Sequence, residues 1–285
     1  LVRGVLPAAA AAELAALPEV QWIEHHETPR ILNDVARAAD RLNVAAVQSG
    51  HGLDGTGQIV AIADTGLDTG DTNTLSPDFA GRLLHVFDTG RLTNWSDTYY
   101  HGTHVAGSLL GTGAASGGRY RGAAPGAQLV FQSIMNSAQG LNLPDDLNDF
   151  YRPPYDRGAR IHSDSWGSAV AGQYTADAMT TDEFIWDHPD QFVAYAAGND
   201  GIDGDYDGVV DLRSLDAPAS AKNVLAVGAS ESGRPPGGGG MTARTYGSAW
   251  RYDYPVPPIY NDLISSSPGG GPQGKAHRML GCLFE

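Results

Sequence analysis

The sequence predicts an α/β fold in which a parallel sheet is covered by helices on both faces. Three observations predict it. Short apolar runs rich in strand formers recur along the chain, at Gln58–Ala63, Gln128–Ile134, Arg160–Ser163, Gln191–Ala197 and Asn223–Ala229. Helix-compatible stretches separate them, at His101–Leu110, Asp145–Tyr151 and Thr181–Trp186. The runs are continuously apolar rather than alternating, which is the mark of strands buried on both faces.

Residues 8–12 are an unbroken Ala run between Pro7 and Pro18, a strong helix former bounded by two residues that cannot continue it. Val20–Glu24 reads as a strand and Pro29–Asn33 as an extended connector, because the residue before a proline is pushed out of the helical region. Asn33 or Asp34 can cap a helix over Val35–Leu42. Gly50, Gly52, Gly55 and Gly57 then break the chain into turns ahead of the strand at Gln58. Farther on, Pro153 and Pro154 are expected to end the helix that starts near Asp145.

Composition narrows the function. Thirty-three acidic residues against 18 basic ones give a net charge of −15, which repels nucleic acid and anionic lipid. The 41% hydrophobic content is enough for a sizeable core, and no run of about 18 apolar residues is present to span a bilayer. Nucleic-acid and membrane partners are therefore not expected. Cys282 is the only cysteine, so no disulfide can form within the chain.

The chemistry-bearing stretches lie at the ends of these elements. Ile59–Ala63 runs into Asp64-Thr65-Gly66, and His101-Gly102-Thr103-His104-Val105-Ala106-Gly107 opens a small-residue helix. A hydroxyl nucleophile needs a base to take its proton, and the base needs a carboxylate to fix its tautomer. Asp64 is the candidate orienter and His101 the candidate base, whereas Asp68 and His104 read as local structure. Ala196-Ala197-Gly198-Asn199 follows a strand, with Asn199 either an amide donor or an ordinary turn residue. Asp203, Asp205, Asp207 and Asp211 stand at positions 1, 3, 5 and 9 of a loop with Gly208 at position 6. That spacing wraps hard oxygens round one Ca2+ ion, although Ser214 stands where a bidentate Glu is expected. A merely acidic, solvated loop is the alternative.

Together the Asp-Thr-Gly and His-Gly-Thr-His-Val-Ala-Gly stretches resemble the first two parts of the catalytic triad of the subtilisin-like serine proteases, the subtilases, whose chain order is Asp, His, Ser. The resemblance implies a three-layer subtilisin-like fold and a serine endopeptidase acting on protein or peptide substrates. It makes Asp64 and His101 catalytic and gives Asn199 the role of oxyanion donor. Ser163-Asp164-Ser165-Trp166-Gly167 resembles the family's Asn-Ser-Trp-Gly, with Asp164 in place of Asn. It implies that Ser165, Trp166 and Gly167 pair with substrate as an added strand beside the primary specificity pocket, with Ala197 and Gly198 also binding substrate. A Trp166 buried in a core strand would be equally consistent with that residue alone.

Residues 1–32 resemble the end of an inhibitory propeptide acting in cis, with an ordinary N-terminal subdomain as the alternative. The catalytic domain then covers 33–268, with the resemblance running over roughly 33–265. The resemblance also implies secretion, and a monomeric state is expected. The nucleophile motif Gly-Thr-Ser-x-Ala-x-Pro occurs nowhere in the 285 residues, and 269–285 match no part of the family pattern. The expectation is a catalytic domain whose C-terminal part is missing, through truncation or a shifted reading frame, and a chain inactive for lack of its serine. A divergent C-terminus is the alternative, and a non-catalytic calcium- or peptide-binding relative is the alternative function.

Calorimetry on the intact chain is expected to show calcium uptake that Asp205→Ala removes, and a flat titration would exclude the site.

Overall fold

The structure, a computed structural model, describes residues 42–89, 94–136, 138, 140–200 and 212–228, together with positions 10, 13, 14, 17 and 37. Contacts divide the chain into two units, Leu1–Ile31 and Leu32–Glu285. In the first unit Ala10, Glu13 and Leu14 are helical, in keeping with the Ala run. The expected strand Val20–Glu24, the connector Pro29–Asn33 and the tail 269–285 lie outside the described residues.

The second unit holds a six-stranded sheet. Its strands are β1 (Ile59–Asp64), β2 (Leu83–Asp88), β3 (Gln128–Ser133), β4 (Ile161–Asp164), β5 (Phe192–Ala196) and β6 (Leu225–Val227). Their order across the sheet is β2-β3-β1-β4-β5-β6, and every pairing is parallel. Among the described residues four α-helices accompany them: α1 (Val44–His51), α2 (His101–Leu110), α3 (Leu147–Asp156) and α4 (Ala176–Asp187). This is the parallel, helix-covered sheet that the apolar runs predict, with strand bounds shifted by one or two residues.

Side-chain alternation along β1 assigns the faces. Val60 and Ile62 join Leu129 and Phe131 of β3 under Val105, Ala106 and Leu110 of α2. Ala63 joins Val193 and Tyr195 of β5 under Leu147, Phe150 and Tyr151 of α3 and Phe184 and Ile185 of α4. A period of two along the strand sends neighbours to opposite faces. Helices therefore cover both, and β1, with a partner on each side, lies at the centre.

Three expectations need correction. The helix after Asp145 does not stop at the prolines: α3 contains both Pro153 and Pro154 and runs to Asp156. A proline at 154 leaves the carbonyl of Phe150 without its helical N–H, and the side-chain amide of Gln132 on β3 donates to that carbonyl instead, at 3.0 Å. Burial of Phe150, Tyr151 and Pro154 against the sheet then holds the helix in register. Gly50 does not break the chain but lies inside α1, which ends at Gly52 in the left-handed region at φ 65°. Finally, Arg37 and Leu42 are turn residues, so the helix expected over Val35–Leu42 does not span those positions. Strand β2 was not anticipated. It pairs with β3 alone and carries a register shift between Leu83 and His85, so its half-exposed side chains lack the periodic signature of a strand.

The amide of Gln132 begins a buried polar chain. Because the Phe150 carbonyl can only accept, Gln132 Nε2 is the donor there and its Oε1 faces His162 Nε2 at 2.8 Å. His162 Nε2 must then carry a proton. Its Nδ1 lies 2.9 Å from Asp164 Oδ2, and Trp166 donates from Nε1 to Asp164 Oδ1 at 3.1 Å. The side chains of His162 and Asp164 are both buried. Burial pushes the Asp164 carboxyl above its ordinary range, while His162 and the Trp166 donor pull it back.

This network predicts a contrast between two variants. Asn at 164 can accept from Trp166 and donate to a neutral His162, so Asp164→Asn should change the unfolding free energy by about 1 kcal/mol or less. Asp164→Ala strands both partners and should cost about 3–5 kcal/mol. Urea denaturation of both variants at neutral pH checks this, and equal losses would show that the charge itself is needed.

Candidate active site

Three neighbouring strands deliver the candidate residues to one edge of the sheet. Asp64 is the last residue of β1, Asp164 the last of β4, and Asn199 follows the end of β5 by three positions. Since β1, β4 and β5 are adjacent and parallel, all three arrive at carboxyl ends, where crevices in open α/β sheets form. His101 is the first residue of α2.

The Asp64 side chain is 3% exposed. Its Oδ1 accepts from the Thr65 backbone N–H at 2.6 Å and lies 2.8 Å from His101 Nδ1. A buried carboxylate holds a proton on Nδ1 and thereby places the imidazole lone pair on Nε2, the nitrogen turned away from Asp64. The His101 side chain, at 40% exposed, is open to solvent, as a base that must meet a substrate has to be.

Two glycines permit this approach. A Cβ on Gly102 would lie 2.4 Å from the Gly66 carbonyl oxygen and 2.9 Å from Asp64 Cβ, so the start of α2 can rest on the Asp64–Gly66 turn only without a side chain there. Gly66 has φ 149° and its Cβ would meet the Ser96 carbonyl at 2.6 Å. Both belong to the Asp-Thr-Gly and His-Gly-Thr-His motifs, which gives those motifs a steric meaning beside the chemical one.

The helix start is held by a residue that no motif marks. Tyr100, the N-cap of α2, offers no side-chain cap. Asp97 serves instead: its Oδ1 accepts from the N–H of Tyr100 at 2.8 Å and of Tyr99 at 3.1 Å, and its Oδ2 from the N–H of Thr103 at 2.8 Å and the Thr103 hydroxyl at 2.6 Å. The Thr65 hydroxyl donates to Asp97 Oδ1 at 2.8 Å and accepts from Gly102 N–H at 3.0 Å. Asp97 therefore ties the Asp64 turn to the first turn of the His101 helix. A carboxylate four residues before the helix is the only signal the sequence carries for it. As expected, Asp68 is local structure: it accepts from the Ser76 N–H, and its own N–H donates to Thr103 Oγ1 at 2.8 Å. His104 is exposed on α2.

The substrate-binding candidates also meet at this edge. Trp166 is half-buried and packs edge-on against Phe150 and Tyr195, with ring centroids 5.6 and 5.2 Å apart. Its side chain is thus a core anchor, and the Ser165–Gly167 backbone leaves β4 with Gly167 exposed. An isolated antiparallel bridge joins Ser168 to Ala217. Ala197 donates to the Val227 carbonyl at 2.8 Å and accepts from the Asp216 N–H at 3.0 Å. Gly198 has φ 107°, and Asn199 is exposed. Asp203, Asp205, Asp207 and Asp211 lie outside the described residues, and no cluster of three or more metal-ligating side chains occurs among the described ones.

Removing the displaced cap should be costly. Asp97→Ala is expected to destabilise the chain by about 2 kcal/mol, since it strands several donors at the α2 N-terminus. Thermal unfolding measures it, and a loss indistinguishable from zero would show that solvent replaces the carboxylate.

The sequence profile of the subtilase family matches residues 55–274. Over 226 residues the chain is 30% identical to the serine protease/ABC transporter B family protein tagA of Dictyostelium discoideum, covering 75% of this chain and 12% of that protein. It is 28% identical over 231 residues to the serine protease AprX of Bacillus subtilis, covering 80% and 45% of the two chains. The chain thus spans less than half the length of either relative. Among solved structures, the prenylagaramide maturation protease PagA is similar at 24% identity with a TM-score of 0.47, covering 68% of this chain and 61% of that one. With the profile covering most of its length and the strand ends carrying the matching motifs, the chain belongs to the subtilase family.

Proposed function

We propose that the chain is the Asp- and His-bearing part of a serine endopeptidase of the subtilisin type, hydrolysing peptide bonds in protein or peptide substrates. The observation that carries this is the 2.8 Å contact between buried Asp64 Oδ1 and His101 Nδ1 at the carboxyl edge of the central strand. In this reading His101 Nε2 takes the proton of a serine hydroxyl as its oxygen bonds to the scissile carbonyl carbon. Collapse of the tetrahedral species returns that proton to the departing amine. Asn199 donates to the oxyanion, a contribution worth about 10²- to 10³-fold in rate. Ser165–Gly167, with Ala197 and Gly198, aligns the substrate backbone.

The proposal includes Ca2+ at Asp203, Asp205, Asp207 and Asp211, supported by carboxylate spacing alone, together with a cis-acting propeptide at 1–32, secretion and a monomeric state, supported by family resemblance. Among the described residues no helix is long and apolar enough to cross a membrane. A second reading, a non-catalytic calcium- or peptide-binding relative, is favoured by one observation: Gly-Thr-Ser-x-Ala-x-Pro is not present in the 285 residues.

Loss of the serine from a subtilisin triad lowers turnover about 10⁶-fold, and binding with the oxyanion hole leaves about 10³- to 10⁴-fold over water. A serine-directed fluorophosphonate is therefore expected to leave the 285-residue chain unlabelled. It should label a chain extended to carry Gly-Thr-Ser-x-Ala, and His101→Ala should abolish that labelling. An extended chain that is never labelled would favour the binding relative. Stoichiometric, His101-dependent labelling of the 285 residues would reveal a nucleophile outside the family motif.

A further inference from the structure

Asp216 belongs to none of the motifs above, yet it is the carboxylate built between the two segments assigned to substrate. Its N–H donates to the Ala197 carbonyl at 3.0 Å, and its neighbour Ala217 exchanges two backbone hydrogen bonds with Ser168, at 2.9 and 3.0 Å. The main chain at 216–217 is therefore tied to both segments. The side chain lies between them: a Cβ on Gly167 would come within 3.1 Å of Asp216 Cβ, and one on Gly198 within 2.3 Å of its Cγ and 2.4 Å of Oδ2. The carboxylate occupies space that the two bare glycines leave open. Asp216 is 7% exposed.

Asp64 Oδ1 meets His101 and a backbone N–H, and Asp164 meets His162 and Trp166. Asp216 instead has a second carboxyl group, Asp200, as its hydrogen-bonding neighbour, and burial together with Asp200 pushes it up to about 6. Among the described residues no Lys or Arg forms an ion pair with it. At pH 8 the carboxyl is ionised, and a buried anion with no counter-ion among the described residues is the costly half of a salt bridge whose other half can come from a ligand.

Resting on the endopeptidase reading above, we propose that Asp216 is the specificity-determining residue of the substrate groove, and that the groove takes peptides presenting Lys or Arg between Ser165–Gly167 and Ala197–Gly198. Gly167 and Gly198 set no side chain beside Asp216, so the aliphatic stem of the substrate residue lies along their backbone and its cationic head meets Asp216 with Asp200 beside it. The guanidinium of Arg can engage carboxylate oxygens two at a time. Acidic side chains are rejected by the same two carboxyl groups.

Binding tests this on the 285-residue chain without need of turnover. Fluorescein-labelled octapeptides of Ala and Gly, with Arg, citrulline, Leu or Glu at one central position, are titrated at pH 8 and followed by anisotropy. The Arg peptide should bind at least tenfold tighter than the Leu peptide, and the Glu peptide weakest. Citrulline keeps the shape of Arg without its charge, so it should lose the advantage without any change in the protein. Asp216→Asn, shown folded by circular dichroism, should bring the Arg-to-citrulline ratio close to one. Equal binding of Arg and citrulline by the unaltered chain, or an Arg preference that survives Asp216→Asn, overturns the proposal and leaves the groove standing. Failure of every peptide to bind overturns the groove itself.

Discussion

The arrangement depends on one buried carboxylate. Asp64 ends the central strand of the sheet, and burial of an ionised group is tolerated only when donors surround it. Thr65 supplies one from the turn and His101 another from the start of α2. To bring that helix within reach, Gly66 and Gly102 must lack side chains and Asp97 must hold the first turn of α2. The acid-and-base pair, the glycine spacing and the displaced cap are thus one geometric solution to bringing donors onto Oδ1 of the carboxylate at the end of β1.

A second solution operates one strand away. Pro154 leaves a carbonyl in α3 without its N–H, Gln132 fills it, and the demand for a hydrogen-bond partner passes through His162 to Asp164 and out to Trp166. This chain joins α3 to β3 and β4 and ends on the segment proposed to meet substrate. Asp164, where the family pattern has Asn, is accounted for by the buried His162 beside it. Pro154, His162 and Asp164 act as a set, and their separate oddities in sequence become a single network in the fold.

Much of this was legible in sequence because its signals are local. Continuous apolar runs mark buried parallel strands whatever surrounds them, and Asp64 and His101 sit in motifs whose glycines are needed for close approach. What was not legible depends on partners distant in the chain. The prolines of α3 read as a stop because Gln132, on another element, is what makes them tolerable. Edge strand β2 pairs on one side only, so it lacks the burial that makes a run distinctive. Asp97 and Asp216 carry no motif, since a capping carboxylate four residues off the helix, and one inserted between two glycines, are defined only once the chain has folded.

Three carboxylates therefore meet along this edge of the sheet, and they differ in who neutralises them. The protein supplies the donors for Asp64 from a turn and a helix, and for Asp164 from a histidine and an indole. For Asp216 it supplies another acid. In a chain with a net charge of −15, no surplus of cations stands by to correct that. The two acids given donors organise the fold and the base, whereas the third stands between Gly167 and Gly198 with another acid beside it. Specificity toward a cationic side chain then follows from the same rule that stabilises the other two: a buried carboxylate needs a partner, and here the partner is left for the substrate to bring.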